Sequence, residues 1–370
     1  MTKTLVAGGG LAGSAVAAAL AQAGIGVTLI ERETCPVHKI CGEFLSAEAQ
    51  IYLRQLGLDL STLGGAVISR LRLVRGNEEI TASLPFQGLG LSRFTLDEAL
   101  LNHASACGAV ILRGHAIRGV SNGAVDIKEL GTIHPETLFL ATGKHELRGT
   151  KRISNSPDDL IGFKTYFRLA PRAQAALEGY IDLILFQEGY AGLQLVEGGM
   201  ANFCLLISRA RFQQAGGNWA GLLAHLLQSS SYLARQLAGA TETLQQPLSI
   251  YRVPFGFIYK AEKTALGQVF RLGDQAGVIQ SFTGDGMSIA LHSAALAVEY
   301  YLNGQTARAY HHRLSRDIRG QIKRAGALYN LTRHSPVQAG LFGLAKLWPG
   351  SLGVAARLTR VPLKAMRGRK

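Results

Sequence analysis

The sequence predicts an α/β chain built from a parallel-sheet domain, an antiparallel two-layer α+β insert and a helical C-terminal tail. Three observations predict it. The first thirty residues are a strand, a cluster of glycines, a helix and a second strand. Residues Val67–Leu84 and Ile161–Leu206 alternate apolar and polar positions between glycine-rich turns, as half-buried strands do. From Ile318 onward there is no Asp or Glu, while apolar residues and cations recur at helical spacing.

In the opening stretch, Leu5–Ala7 are small and apolar, as a buried parallel strand requires. Gly8, Gly10 and Gly13 then fill the three positions of G-x-G-x-x-G, with Leu11 and Ala12 between the last two. Gly8 permits the turn, Gly10 lets the backbone approach a pyrophosphate, and Gly13 lets a helix pack against the strand. The helix expected over Ser14–Ala23 turns its free N–H groups and positive dipole end to that diphosphate. The second strand ends in Glu31, followed by Arg32. Glu31 lies eighteen residues beyond Gly13, where a carboxylate receives the adenosine ribose hydroxyls. Leu5–Ile30 carries no charge, so a membrane span or secretory signal is the competing reading, but six glycines in that stretch argue against it. The pattern predicts a bound adenine dinucleotide.

Composition sets the bounds. A chain of 370 residues that is 47% hydrophobic and 17% charged folds around a sizeable core and is not disordered. Its four cysteines, Cys35, Cys41, Cys107 and Cys204, lack metal-site spacing and are too few for a disulfide scaffold, so no metal and a cytoplasmic setting are expected. Of the net charge of +14, eleven cations fall in the acid-free tail, leaving about +3 elsewhere. No nucleic-acid motif accompanies that charge, so nucleic acid is not the expected partner.

Taking the chain in order, the run Lys39-Ile40-Cys41-Gly42-Glu43 leads into a helix capped by Ser46. It resembles the loop after the second strand in the geranylgeranyl reductase branch of the para-hydroxybenzoate-hydroxylase-like flavoproteins. That resemblance implies that Cys41 and Gly42 lie beside a flavin ring and that the Cys41 thiol assists proton delivery. From the residues alone, Cys41 is equally a small buried side chain. Arg93-Phe94-Thr95-Leu96-Asp97 opens a helix with Thr95 as its expected cap. The run is similar to the family's R-x-x-(F/L)-D-x-x-L motif, which implies that Arg93 reaches the FAD pyrophosphate while Asp97 braces the helix. A buried strand, Thr137–Leu140, ends in Thr142-Gly143, where flavin hydroxylases of the superfamily carry Asp-Gly.

The second decisive motif is Val269–Gly273-Asp274, followed by Phe282-Thr283-Gly284-Asp285-Gly286-Met287 and an Ala-rich helix. It resembles the second FAD-contact motif of the superfamily. By that match Gly273 and Asp274 meet the ribityl chain, and Gly284, Gly286 and Met287 bring a helix N-terminus to the flavin. The resemblance implies a Rossmann-like FAD-binding domain of the glutathione-reductase type over residues 1–66, 91–155 and 262–318. A substrate domain takes 67–90 and 156–261, and basic helices take 319–370. Tyr190 stands where archaeal geranylgeranyl reductases carry an aromatic signature, and with Phe282 it is a candidate for the substrate pocket or for simple packing.

The chemistry implied is the flavin's. The expectation is a monooxygenase acting on a hydrophobic aromatic, polyketide-like or lipid-like molecule through a flavin C4a-hydroperoxide, with NAD(P)H as electron donor. The alternatives are a reductase of carbon–carbon double bonds in an isoprenoid or lipid, and a non-catalytic flavin-binding partner at a membrane. The tail, with Trp348 and Phe342 among its cations, is read either as a peripheral contact with an anionic membrane or as helices packed over the FAD domain.

Overall fold

In the computed structural model, the described residues are 3–121, 123–152, 159–261, 268–332, 335–362 and 365–366. The domain limits drawn at 155/156 and at 262 fall outside them. A five-stranded parallel sheet runs in the order Gln268–Arg271, Thr137–Leu140, Thr4–Ala7, Val27–Glu31, Val110–Arg113. Its middle strands are largely apolar because both faces are covered, one by helices and the other by a small separate sheet. The helix Leu11–Gln22 lies against the helices Arg93–Ala106 and Gly286–Leu302, and their facing Ala and Leu side chains form the largest core.

The second sheet has nine strands and is mostly antiparallel. One junction is parallel: Gly179–Phe186 runs alongside Ala66–Arg75. This pairing closes the hairpin of Ala66–Arg75 and Glu78–Gly90 onto the later meander of strands, so two distant stretches of sequence make one continuous face. A small three-stranded sheet over Ile117–Ser121, Ala124–Ile127 and Gly131–Ile133, not anticipated from the sequence, covers the outer face of the parallel sheet.

Four local expectations are corrected. The first helix starts at Leu11, not Ser14, because extended Gly10 acts as its N-cap. The helix expected to be capped by Thr95 begins at Arg93, capped by Ser92, whose Oγ accepts the Thr95 N–H. The strand expected over Tyr251–Gly256 is Leu248–Tyr251; Arg252, at φ 58°, turns the chain out of the sheet ahead of Pro254. The helix expected over Trp219–Ala238 breaks at Ser230, whose extended backbone ends one segment while its Oγ caps the next at Leu233 N.

Three helices form the tail: Ala307–Thr332, Ser335–Leu347 and Gly350–Leu358. The first packs into the main core through Tyr310, Leu314, Ile318 and Ile322. The other two lie across the large sheet, where Phe342 and Ala345 meet Leu73 and Ile80. Beyond them the chain returns to the second glycine motif: Val361 N–H donates to Asp285 Oδ2 at 2.9 Å, and Arg360 pairs with the same carboxylate at 3.4 Å.

Candidate functional site

Between the two sheets and beneath the tail helices runs one continuous cavity of about 1140 Å³. Every sequence-predicted site residue lines it except Gly13. Gly13 lies under the first turn, where a Cβ would come within 1.9 Å of the Gly8 carbonyl oxygen. Its role is packing, the one its motif position assigns.

One end of the cavity is polar and made largely of backbone. Gly8 has φ 103°, open only to glycine, and a Cβ there would meet Ala141 O at 2.6 Å. A Cβ on Gly10 would meet only the cations Arg93 Nη2 and Lys39 Nζ, at 3.4 and 3.8 Å. Both cations are held by one carboxylate. Arg93 donates to both oxygens of Asp97 at 2.6 and 2.9 Å, and Lys39 Nζ reaches Asp97 Oδ2 at 2.8 Å. Burial alone would raise the Asp97 pKa, but the two cations outweigh it and hold the carboxyl below its usual range. Two cations on one carboxylate leave positive charge facing Gly10.

Neither helix that points into this end has a side-chain cap. Gly10 caps Leu11–Gln22 and Asp285 precedes Gly286–Leu302, each without a capping hydrogen bond. Their first N–H groups are therefore open to an anion. Gly42, Gly143 and Gly286 each face open space where a Cβ would stand. The Asp274 carboxylate lies on the wall without a hydrogen-bond partner among the described residues, and Glu31 spends one contact per oxygen on Gly9 N–H (2.6 Å) and Glu33 N–H (3.0 Å). Bare glycine walls, uncapped helix ends, surplus cations and free carboxylates for hydroxyls fit an FAD laid from Glu31 past Gly10 to Gly286.

Midway sits a cluster absent from the sequence-based reading. Glu43, fully buried and at φ 58°, accepts hydrogen bonds from Lys164 Nζ, from Tyr166 Oη (2.8 and 2.9 Å) and from Arg93 N–H (2.7 Å). Lys164, also fully buried, donates in addition to Lys39 O at 2.9 Å. Left-handed backbone at a non-glycine residue costs roughly 1–3 kcal/mol and persists only where its surroundings over-determine it. Here a buried ion pair and a phenol do so, and they lock the loop 39–43 to the strand Leu160–Arg168. Burial raises the Glu43 pKa against the pull of Lys164. Asn202 Nδ2 adds to the lock by donating to the carbonyls of Cys41 (3.2 Å) and Gly42 (2.8 Å). A lone lysine at the centre of the apolar run Leu160–Phe167 was the available signal.

Cys41 is half-buried on the cavity wall, and its Sγ accepts the Glu43 N–H at 3.3 Å. Cys204 also lines the cavity, but burial pushes its thiol up to about 12, so it stays protonated. Gln194, 1% exposed, presents both amide atoms without a partner on the same wall. Unpaired buried amides are costly, so this one calls for a bound molecule.

The far end is apolar. Leu73, Leu183, Leu185 and Leu206 come from the large sheet, Phe255 and Phe282 from loops, and Leu341, Phe342 and Leu352 from the tail. Tyr190 stands edge-on to Phe282 at 5.9 Å between ring centroids, with its hydroxyl 2.7 Å from Ser281 Oγ.

A parallel-sheet domain carries this glycine cradle, an apolar chamber lies on a second sheet and helices cover it, an arrangement that fits FAD at one end and an apolar molecule at the other. Residues 1–136 match the family model described as an FAD binding domain. The chain is 35% identical over 115 residues to menaquinone reductase of Mycobacterium tuberculosis, a match spanning 30% of this chain and 28% of that protein, so it covers less than a third of that relative's length. It is 25% identical over 344 residues to the flavin-dependent halogenase armH4 of Armillaria mellea, covering 79% of this chain and 63% of that one. In structure it superimposes on the myxobacterial chondrochloren halogenase CndH with TM-score 0.77 and 18% identity, covering 98% of this chain and 94% of that one. No group of His, Cys, Asp and Glu among the described residues is placed to hold a metal.

Proposed function

We propose that this chain is an FAD-dependent monooxygenase acting on a hydrophobic aromatic or lipid-like molecule. The observation that carries the reading is the continuity of the cavity, from the glycine cradle that fits FAD into a chamber walled by aliphatic side chains. FAD, when bound, supplies two-electron chemistry and reaction with O₂. The chain's own residues do the rest. Gly8, Gly10, Leu11, Ala12 and the Leu11–Gln22 helix end take the diphosphate with Arg93. Glu31 and Arg32 take the adenosine end, Asp274 and Gly273 the ribityl hydroxyls, and Cys41, Gly42, Thr142, Gly143, Gly284, Gly286 and Met287 surround the ring. Glu43 and Lys164 fix the loop beside the ring, and the leucines of the chamber exclude water from it. The balance is substrate C–H, O₂, NAD(P)H and a proton going to substrate C–OH, water and NAD(P)⁺, with NAD(P)H docking transiently.

A second reading, reduction of a carbon–carbon double bond, is favoured by the menaquinone reductase match and by the Cys41 thiol on the cavity wall. In it FAD, held by the same glycine cradle, would supply two-electron reducing chemistry, and the Cys41 thiol would supply the proton. The halogenase relative adds a third chemistry for the same chamber. One experiment separates them. Purified yellow protein is reduced by NAD(P)H and offered apolar aromatics, a quinone and isoprenoid alcohols, with and without O₂ and with and without bromide, and products are weighed by mass spectrometry. Gain of one oxygen only under air supports the monooxygenase. Gain of two hydrogens without air supports the reductase, and gain of bromine assigns a halogenase. Neither of the last two is compatible with the proposal.

A further inference from the structure

We propose that the outer face of the helices Ser335–Leu347 and Gly350–Leu358 docks on an anionic lipid bilayer, and that the cavity opens there to receive its substrate from the lipid. Three observations meet at this face. Of the thirteen large hydrophobic side chains that the described residues expose, seven lie between Leu331 and Leu358. Leu347 is 88% exposed, Trp348 57% and Leu344 51%. Scattered exposed leucines need no explanation, but a contiguous group of this kind marks an interaction surface.

The helix Ser335–Leu347 is apolar on two sides. Phe342 and Ala345 are buried against Leu73 and Ile80. Val337, Leu344 and Leu347 recur at helical spacing along the other side, where no protein covers them. The next helix continues the exposed strip through Val354 and Leu358.

Charge selects the partner. Between Ile318 and Lys370 there is no carboxylate side chain and there are eleven Lys and Arg. Lys346 is paired with Glu78 at 2.6 Å, while Arg357 stands exposed on the second helix and exposed Arg324 lies beside that helix, its Nε donating to Leu358 O at 2.6 Å. Apolar side chains interspersed with uncompensated cations suit the headgroup boundary of an anionic membrane. A second copy of this chain would bring the same positive charge to the interface and be repelled. No helix among the described residues is long and apolar enough to cross a membrane, so the helices lie along its surface.

The third observation ties the surface to the cavity. Leu344 is half-exposed in the strip and also lines the cavity, with Leu341 on the same helix and Leu352 on the next. The chamber wall therefore ends at the proposed membrane face, and a bilayer-resident acyl or prenyl chain reaches it without crossing water. This delivery step rests on the proposed function, since it takes the apolar chamber as the substrate's; the docking does not.

The test uses the purified flavoprotein and sedimented vesicles of phosphatidylcholine, with or without one-third phosphatidylglycerol. Binding to the anionic vesicles is expected to be at least roughly tenfold tighter, and Leu347→Glu with Trp348→Glu is expected to weaken it by roughly tenfold or more. Both sites are exposed, so the double variant should keep its flavin absorbance and melting temperature. Absent binding, or binding indifferent to the double variant, overturns the docking. So does a dimer broken by the same variant in place of vesicle binding, or binding displaced by RNA. For delivery, a doxyl-labelled stearate in the vesicles should quench flavin fluorescence severalfold more slowly in the double variant, yet equally when supplied from detergent micelles. Equal slowing from both sources overturns delivery while leaving docking intact. Normal docking and quenching without turnover of any apolar substrate would instead count against the proposed function.

Discussion

At the diphosphate end of the cavity the wall is main chain: glycines at 8, 10, 42, 143 and 286 stand where side chains would fill the space. At the substrate end the wall is bulk, with leucines and phenylalanines from a sheet, two loops and two helices. Two buried carboxylates near the cavity differ as well. Asp97 sits between two cations and is held below its usual range, whereas burial pushes Asp285, beneath the tail, up to about 7 although Arg360 opposes the shift. One end is prepared for a fixed, charged ligand whose shape never changes. The other is an apolar volume roofed by the tail helices.

The largest effect expected from breaking this contrast lies within the glycines. Gly13→Ala puts a Cβ 1.9 Å from the Gly8 carbonyl oxygen, a backbone clash that no rotamer relieves. Overpacking of this kind costs about 3 kcal/mol or more, so the variant should lose both its flavin and its cooperative melting transition. Gly10→Ala meets only side-chain nitrogens at 3.4 and 3.8 Å. It should keep its melting temperature as apoprotein while binding FAD roughly tenfold or more weakly, about 1.4 kcal/mol. Calorimetry of the apoproteins with an FAD titration reads both. Equal losses of stability would show that Gly10 is structural and not reserved for a ligand.

The next effect probes the seam between the two ends. Lys164→Met leaves Glu43 buried with only a phenol and one N–H, and breaking such a pair costs about 3–5 kcal/mol. Adding Glu43→Gln should restore most of it, because replacing both charges avoids the orphaned carboxylate. Urea denaturation of the two single variants and the double variant gives the coupling; additive losses would mean that the pair does not act as a unit.

This seam also separates what the sequence disclosed from what it did not. Gly8–Glu31 and Gly273–Gly286 were legible because a diphosphate and a helix end constrain consecutive residues, so spacing alone carries the signal. The Glu43–Lys164 pair joins residues over a hundred positions apart, in a register fixed only by the order of strands in the large sheet. The parallel junction of Gly179–Phe186 with Ala66–Arg75 was hidden for the same reason. The tail's amphipathic helices were readable, but not that they roof the chamber. Their inner residues, Phe342 and Ala345, contact side chains that the sequence leaves over two hundred and fifty residues away.

A smaller and pH-dependent effect tests the cover. A carboxyl whose folded pKa is raised from 3.8 to about 7 favours the protonated form in the folded state. Its stabilising contribution is therefore fully present below about pH 4, declines as pH rises through that window, and is gone above about 7. Each tenfold difference in proton affinity between the folded and unfolded chain is worth about 1.4 kcal/mol at most. Asp285→Asn removes that titration and keeps an acceptor for Val361 N–H. The variant's melting temperature should gain on the parent between pH 5 and pH 8, and a difference that does not vary with pH would remove the assignment. Carboxylates held low, such as Asp97, have the opposite sign and lose their contribution only as pH falls below about 4.

The smallest change belongs to the substrate end itself. Tyr190→Phe deletes one hydrogen bond, the hydroxyl 2.7 Å from Ser281 Oγ, and leaves the edge-on contact with Phe282 in place. Such a bond contributes about 0.5–1.5 kcal/mol, and Ser281 keeps a rotatable hydroxyl that can turn elsewhere. The variant should melt within a few degrees of the parent and bind FAD equally, since Tyr190 belongs to the chamber and not to the glycine cradle. If the chamber recognises its substrate by shape and apolarity, the apparent affinity for an apolar ligand also changes less than about tenfold. A larger loss, confined to ligands that carry a hydroxyl or carbonyl, would show that Tyr190 anchors a polar group. The far wall would then share the directional character of the near one, and the contrast between the two ends would narrow to a difference in how many such groups each supplies.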